Sequence, residues 1–449
     1  MNPECQPGNN PIMTPPLLTN THRRILFTTW EGGGTVGPFI VAATRLMKRG
    51  HHVRFQCDEA SRADAETAGL EFRPWCEAPN RLNRSPATCP VRDWEASSPQ
   101  EGIQRLMDKL MFGRSLDYAR DVIAELEREP ADLVVTSEML PGVMAACESR
   151  GQRFAVLASN LCFYPIPGMP AFGPGLPPPR NREEEEIHEQ IRAATIGMFD
   201  HGLESLNHTR RVLKLPPLIH ATDQIHAAER FLLGTSRAFD FPIARLPEFI
   251  RYVGPLLEDV PATEGWSPPW PEFDPRPLVL VGFSTTYQNH AGVLQAVMDA
   301  MAGMHARGLV TLCQVSPGDV NPPPNACVVS HLPHDVVMRD ASLIITHGGH
   351  GTVMRALKHR KPLLIMPHGR DQDENAIRVT ERGAGLNIPA SSAVERIREA
   401  IRSLLDNPAF TNAASRLGEA INREPEDQAV EDMLEELTTH ADRARRFAC

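Results

Sequence analysis

The stretch from Leu343 to Gly385, LIITHGGHGTVMRALKHRKPLLIMPHGRDQDENAIRVTERGAG, decides the fold. It runs an apolar strand into a glycine-rich turn, a short helix, a second apolar strand and an acid-amide loop, which is one βαβ unit of a parallel sheet. Gly348, Gly349 and Gly351 let the backbone come close to a ligand, and a helix beginning near Thr352 offers free N–H groups and the positive end of its dipole. His347 stands at the carboxyl end of the first strand, where open α/β sheets bind their ligands. Together these features suit a diphosphate.

Upstream of this unit the same alternation continues: a strand PLVLVGFS, a helix near 291 to 307 and a strand LVTLCQV. A separate block precedes it, opening with the strand RILFTT, the loop WEGGGTVGP, the helix FIVAATRLMKRG and the strand HHVRFQC. Then come the helical RLMDKLMFGRSLDYARDVIAELE, the strand ADLVVTS, the helix PGVMAACESRG and the strand RFAVLAS, with FLLGTS and IRYVGPL closing the block. Two runs of alternating strands and helices mean two doubly wound parallel-sheet domains. At 449 residues the chain exceeds one core, and two domains of roughly 200 residues are expected. The boundaries fall at a disordered Pro- and Asn-rich tail over 1–21, a first domain over 22–255, a Pro- and Trp-rich linker over 256–276, a second domain over 277–425 and a final segment over 426–449. The Pro-rich FYPIPGMPAFGPGLPPPR cannot join a sheet or helix interior and should line or cover a pocket. The acidic run Glu183 to Glu186 after it reads as a solvated helix start.

Net charge is −10, and no Lys/Arg run interleaved with aromatics occurs, so nucleic acid and anionic membranes are poor partners. The nine cysteines are scattered without a C-x-x-C, which fits neither a disulfide framework nor a zinc site and suggests a reducing cytoplasm. No apolar run approaches the ~18 residues of a membrane span, and the first residues lack a signal-peptide core.

The stretch at 343 to 385 resembles, in register over its whole length, the donor-binding signature of family 1 glycosyltransferases, the UDP-glycosyltransferase-like enzymes that include macrolide and antibiotic types and have the two-domain GT-B fold. The resemblance implies two Rossmann-like domains facing a cleft, with the last helix crossing back onto the first domain. It gives His347, Gly349, Gly351 and Thr352 the diphosphate, and Asp371 and Gln372 the sugar hydroxyls. Ser284 and Thr285, in FSTT after the first strand of the second domain, correspond to a hydroxyl-rich loop over the donor. Two positions depart from the family pattern: Arg355 stands where a glutamate usually binds ribose, and His331, in HLPH, stands where a base-stacking Trp often begins the motif. The nucleotide base, UDP or dTDP, is therefore open.

The resemblance further implies a hexosyltransferase that moves a sugar, with inversion, from a nucleoside diphosphate to a small, largely apolar acceptor of aromatic or polyketide type, as in natural product glycosylation. The acceptor pocket is expected in the first domain around Gly34, Met111, Phe112, Phe163 and Phe172. No D-x-D motif ends a strand, so neither metal nor another cofactor is expected, and the helix dipole with His347 can stabilise the leaving group. The expected assembly is a monomer or homodimer.

A rival reading lies in the first block. Gly32, Gly34 and Gly37 form G-x-G-x-x-G between a strand and a helix, and Asp58 ends the next strand at the spacing of a ribose-binding acid, which suggests an NAD- or FAD-dependent oxidoreductase. Many family 1 enzymes instead carry a catalytic His in this loop, within G-H-V-x-P, oriented by an Asp at the end of a later strand. Here Thr35 and Ser137 occupy those places. A threonine hydroxyl is too weak a base at neutral pH, and Glu31 and Glu138 are the nearest carboxylates that could replace it. The open alternatives are an acidic acceptor that needs little base, a carboxylate base, or a sugar-nucleotide-binding auxiliary protein with little transfer.

Overall fold

The computed structural model describes residues 22–166, 169–243, 245–258, 269–271, 273–283, 290–424 and 430–438. The first domain carries β1 (Arg24–Thr28), β2 (His52–Cys57), β3 (Glu71–Pro74), β4 (Leu133–Ser137), β5 (Phe154–Ala158), β6 (Arg230–Leu233) and β7 (Ile250–Tyr252). The second carries β8 (Leu278–Gly282), β9 (Arg307–Thr311), β10 (Ala326–Val329), β11 (Leu343–Thr346), β12 (Leu363–Ile365) and β13 (Gly385–Asn387). All pairings are parallel, in the orders β3-β2-β1-β4-β5-β6-β7 and β10-β9-β8-β11-β12-β13.

The central strands β1, β4, β5, β8, β11 and β12 are largely apolar because helices cover both faces, while β2, β3, β7 and β13 carry polar residues. Side chains alternate between the two layers, as the pleat requires. In β8, Leu278 and Leu280 join one apolar cluster and Val279 and Val281 the other; in β11, Ile344 faces the first and Leu343 and Ile345 the second. In β1, Leu26 points to one layer and Ile25 and Phe27 to the opposite one. Each such side chain, fully removed from water, contributes about 1.5–3 kcal/mol.

Strand order reverses between β1 and β4 in the first sheet and between β8 and β11 in the second. The carboxyl ends at those two switch points open the crevices in which ligands of doubly wound sheets sit. The helix Val36–Lys48 follows β1 and is ended by Gly50 at φ 91°, and Pro141 opens the helix Pro141–Arg150 that Gly151 closes at φ 59°.

The continuous helix read over 105–127 is two helices, Pro99–Leu106 and Ser115–Arg128, joined through a π-helical turn at Met107–Met111. Gly113 explains the break: a Cβ there would lie 2.1 Å from the Asp108 carbonyl oxygen. The helix Pro408–Asn422 and the short strands β3 and β10 had no sequence reading. Residues 430–438 form a helix whose Val430, Leu434 and Leu437 pack with Ile25, Phe27 and Phe39 of the first domain. Arg49 reaches Asp432 at 2.8 Å and Glu435 at 3.1 Å on that helix.

The domains meet through charge. Arg378 lies between Asp240 at 2.8 Å and Glu374 at 2.9 Å, all three buried, and Glu374 also accepts the N–H groups of Gly173 and Gly175. The Pro-rich stretch is thus tied to the second domain as well as to its own. Among the described residues, no helix is long and apolar enough to cross a membrane.

Candidate active site

At the second switch point β11 ends in Thr346, and Gly348 turns the chain at φ 99°, a conformation that favours glycine. The following helix begins at His350, two residues before the expected start, with Gly349 as its N-cap. A Cβ on Gly349 would lie 2.7 Å from His347 Nε2, so this glycine is what lets the imidazole edge face the helix N-terminus; a Cβ on Gly351 would meet nothing within 4 Å. Thr352 lies in the first turn of the helix. His347 is buried, and desolvation, reinforced by His368, Arg370 and His290, pushes it down to about 3, which keeps the ring neutral.

Asp371 and Gln372 follow β12. The Asp371 carboxylate accepts from Asn375 at 3.0 Å and, across the cleft, from Asn160 at 3.2 Å. Gln372 is only 1% exposed, and its carboxamide oxygen accepts the His368 N–H at 2.6 Å. Gln372 therefore holds the loop from within, in contrast to the expectation that it faces the sugar directly. Ser284 and Thr285 lie outside the described residues.

The two departures from the family signature have structural causes. Arg355 is paired with Asp335 and donates to the Glu258 carbonyl at 3.2 Å, so its guanidinium ties the start of the interdomain linker to the second domain. His331 is exposed, while His334 of the same HLPH is lodged against Gly282, where a Cβ would lie 2.3 Å from its ring, and shares a hydrogen bond with Thr311 at 3.0 Å.

The first switch point is built from the same parts and finished differently. Asp58 uses both oxygens on backbone N–H groups, of Glu31 at 2.7 Å and of Arg81 at 2.6 Å, so it has no free face for a ribose. The oxidoreductase reading fails there. Glu31 bonds Arg84 at 2.9 Å, the Ser61 hydroxyl at 2.9 Å and the Gly33 N–H at 2.9 Å, with its side chain fully buried. That removes it as a proton acceptor for a substrate. The Thr35 hydroxyl donates to the Trp30 carbonyl at 2.8 Å and closes the loop, and Gly34 is exposed with open space where a side chain would be.

Glu138 differs from these. It follows β4 directly, buried, with one oxygen accepting from the Ser137 hydroxyl at 3.1 Å. Burial pushes its carboxyl up to about 7, and the charge of Asp371, across the cleft, adds to the rise. A carboxylate held near neutrality in a cleft is a candidate for proton transfer.

The expected acceptor residues divide in the same way. Met111 and Phe112 are 2% and 3% exposed and form a small core with Phe199 and Leu206, because Gly202 lets Phe112 pack where a Cβ would clash. They are spent in that core and leave almost no surface for a ligand. Phe163 and Phe172 are half-buried; Phe163 stacks on Phe199 at 5.5 Å, and Phe172 meets it edge-on at 6.3 Å. Asn160, Asn375, Asp335, His290 and His368 were missed by sequence reading. Only His368 carried a signal, as a polar residue shortly beyond the apolar strand β12.

Residues 295–437 match the family model described as the erythromycin biosynthesis protein CIII-like C-terminal domain. The chain is 29% identical to 4'-demethylrebeccamycin synthase of Lentzea aerocolonigenes over 88% of its own length and 94% of that protein. It is 26% identical to demethyllactenocin mycarosyltransferase of Streptomyces fradiae over 93% of its own length and 87% of that protein. Among solved structures, the glycotransferase of kitacinnamycin superposes with a TM-score of 0.70 at 19% identity, over 93% of this chain and 99% of that one.

Proposed function

The chain belongs to the family 1 glycosyltransferases of the GT-B type, and on that premise we propose that Glu138 takes the acceptor's proton in an inverting sugar transfer. The observation that carries this is the position of Glu138: it directly follows β4, the strand beside β1 at the first switch point, within electrostatic reach of Asp371 in the opposite domain. A sugar held by Asp371 would present its anomeric carbon towards that carboxylate.

The acceptor hydroxyl oxygen attacks the anomeric carbon as the bond to the β-phosphate oxygen breaks. The hydroxyl proton passes to Glu138 and then to solvent, and the nucleoside diphosphate leaves with the electron pair of the broken bond. Attack from the first domain on the face of the anomeric carbon opposite the breaking bond to phosphate gives inversion. His347 donates to the diphosphate as negative charge grows there, together with the N–H groups at the start of the helix His350–Lys358. The half-buried Phe163 and Phe172 favour a flat, apolar acceptor. Because the chain's own donors neutralise the leaving group, turnover is expected to survive EDTA.

The test is a panel of UDP- and dTDP-sugars with phenolic and aliphatic acceptors, run with wild type and Glu138→Gln. Transfer by wild type that drops by 10² or more in the variant, with donor affinity unchanged, supports the assignment. Full transfer by the variant to phenols alone would leave acidity of the acceptor as the explanation there, and full transfer to the aliphatic acceptors as well would remove Glu138 and place the base elsewhere.

A further inference from the structure

Phe283 ends the first strand of the second domain, and three imidazoles from three different turns surround its ring. His290 stacks on it at 5.9 Å and 16°, His347 at 6.3 Å and 27°, and His368 meets it edge-on at 5.6 Å and 85°. These residues come from the starts of segments that follow β8, β11 and β12, so the cluster lies along the carboxyl edge of the sheet beside the second switch point.

His347 Nδ1 shares a hydrogen bond with the Thr346 hydroxyl at 3.3 Å, but the other two rings are poorly satisfied. His290 is 1% exposed, yet among the described residues neither of its ring nitrogens has a hydrogen-bond partner, and the buried ring nitrogens of His368 have no well-formed one, the Met366 backbone being their nearest polar neighbour. A purely structural position here would favour Phe or Leu, since a buried imidazole without partners is costly. A shared metal ion does not account for the cluster: among the described residues no three His, Cys, Asp or Glu side chains are arranged to hold one.

We propose that His290 and His368 join His347 as ligands of the donor's phosphate groups, so that three imidazoles rather than one hold the diphosphate. The inference rests on the glycosyltransferase reading and adds two residues to its donor site. A neutral imidazole supplies one N–H donor to an anionic oxygen, and hydrogen bonds to charged acceptors are the strong ones. Burial and mutual repulsion keep the rings neutral when empty, with His290 lowered to about 4; Arg370 and His334 face His347 and act in the same direction. A diphosphate reverses that balance.

Calorimetry with UDP-glucose, dTDP-glucose, uridine and thymidine tests this on the full chain. His290→Phe and His368→Phe keep an aromatic ring against Phe283. Each is expected to weaken whichever sugar nucleotide wild type binds by about 10-fold or more, as for loss of a hydrogen bond to a charged group, while the matching nucleoside changes less than about 2-fold on the same scale. His290→Gln and His368→Gln retain a neutral N–H donor and should recover part of the loss, and they decide the matter if a Phe variant fails to fold. Unchanged sugar-nucleotide affinity in the variants, or equal losses for nucleotide and nucleoside, overturns the proposal and makes the cluster a packing feature. Failure of wild type to bind either sugar nucleotide overturns the donor reading itself, and this proposal with it.

Discussion

The two switch points start from one design, a buried strand, a glycine turn and a helix, and they end with opposite accounts of their polar groups. In the first domain Asp58, Glu31 and Thr35 are all satisfied by the protein: two backbone N–H groups, an arginine with a serine and an N–H, and a carbonyl. In the second, the four ring nitrogens of His290 and His368 around Phe283 have no well-formed hydrogen bond among the described residues. A glycine-rich turn is a tight piece of chain in both places. It becomes a ligand site where buried donors are left over for something else to satisfy.

Glu138 is the exception that makes the first crevice reactive, and it offers the sharpest way to break the contrast. Glu138→Gln should lower kcat/KM by about 10²–10⁴-fold, the range of a general base. Because the carboxyl is pushed up to about 7, the wild-type rate should fall as pH drops below that value, and this acid limb should vanish in the variant. The linkage runs the other way for stability. A raised carboxyl pKa stabilises the fold fully below the ordinary value and loses that contribution as pH rises through about 7, so wild type, more than the variant, should lose melting temperature between pH 5 and pH 8. A rate profile with no acid limb near 7 would place the proton acceptor elsewhere.

Next in size is His347→Ala, expected to cost on the order of 10²-fold or more in turnover, with a circular dichroism spectrum like wild type. Wild-type turnover in this variant would erase the distinction between the two turns. Asp371→Ala should weaken sugar-nucleotide binding by roughly 10-fold, the loss of one charge-assisted hydrogen bond, while free UDP or dTDP binds nearly as before. Gln372→Ala separates loop from ligand: since its oxygen bonds the His368 N–H, both ligands should weaken together. The smallest catalytic effect belongs to Glu31→Gln, less than about 10-fold in rate. Its cost appears instead as about 1–3 kcal/mol of unfolding free energy in urea titration, because Arg84, Ser61 and Gly33 lose a charged partner. A large rate loss without a stability loss would reverse the assignments of Glu31 and Glu138.

What could be read from sequence was local. The alternation in β8, β11 and β12 follows from a sheet buried on both faces, and the glycines after β11 sit where only a residue without a side chain lets His347 face the helix start. The failures came from partners distant in sequence. Nothing near Glu31 indicates that Arg84 will cover it, and nothing near Asp371 points to Asn160 in the other domain. Gln372 carries the signature's residue type, and only burial reveals that its carboxamide is turned into its own loop. Met111 and Phe112 read as pocket lining because they are apolar beside a Pro-rich stretch, but an apolar side chain next to a pocket packs inward when a glycine such as Gly202 leaves room for it.

By itself the sequence determined two doubly wound sheets, the switch point carrying His347, and the absence of a histidine from the usual place in the first loop, because periodicity and glycine stereochemistry act over a few residues. Only the tertiary structure decided which polar groups are spent and which are free: Glu31 and Asp58 are closed off by partners brought from other loops, while Glu138 is buried beside Ser137 with its carboxyl raised by desolvation, and the ring nitrogens of His290 and His368 are buried without well-formed partners among the described residues. Hydrogen-bond satisfaction and desolvation depend on what the whole fold brings within about 3 Å of an atom, and no stretch of sequence contains that information.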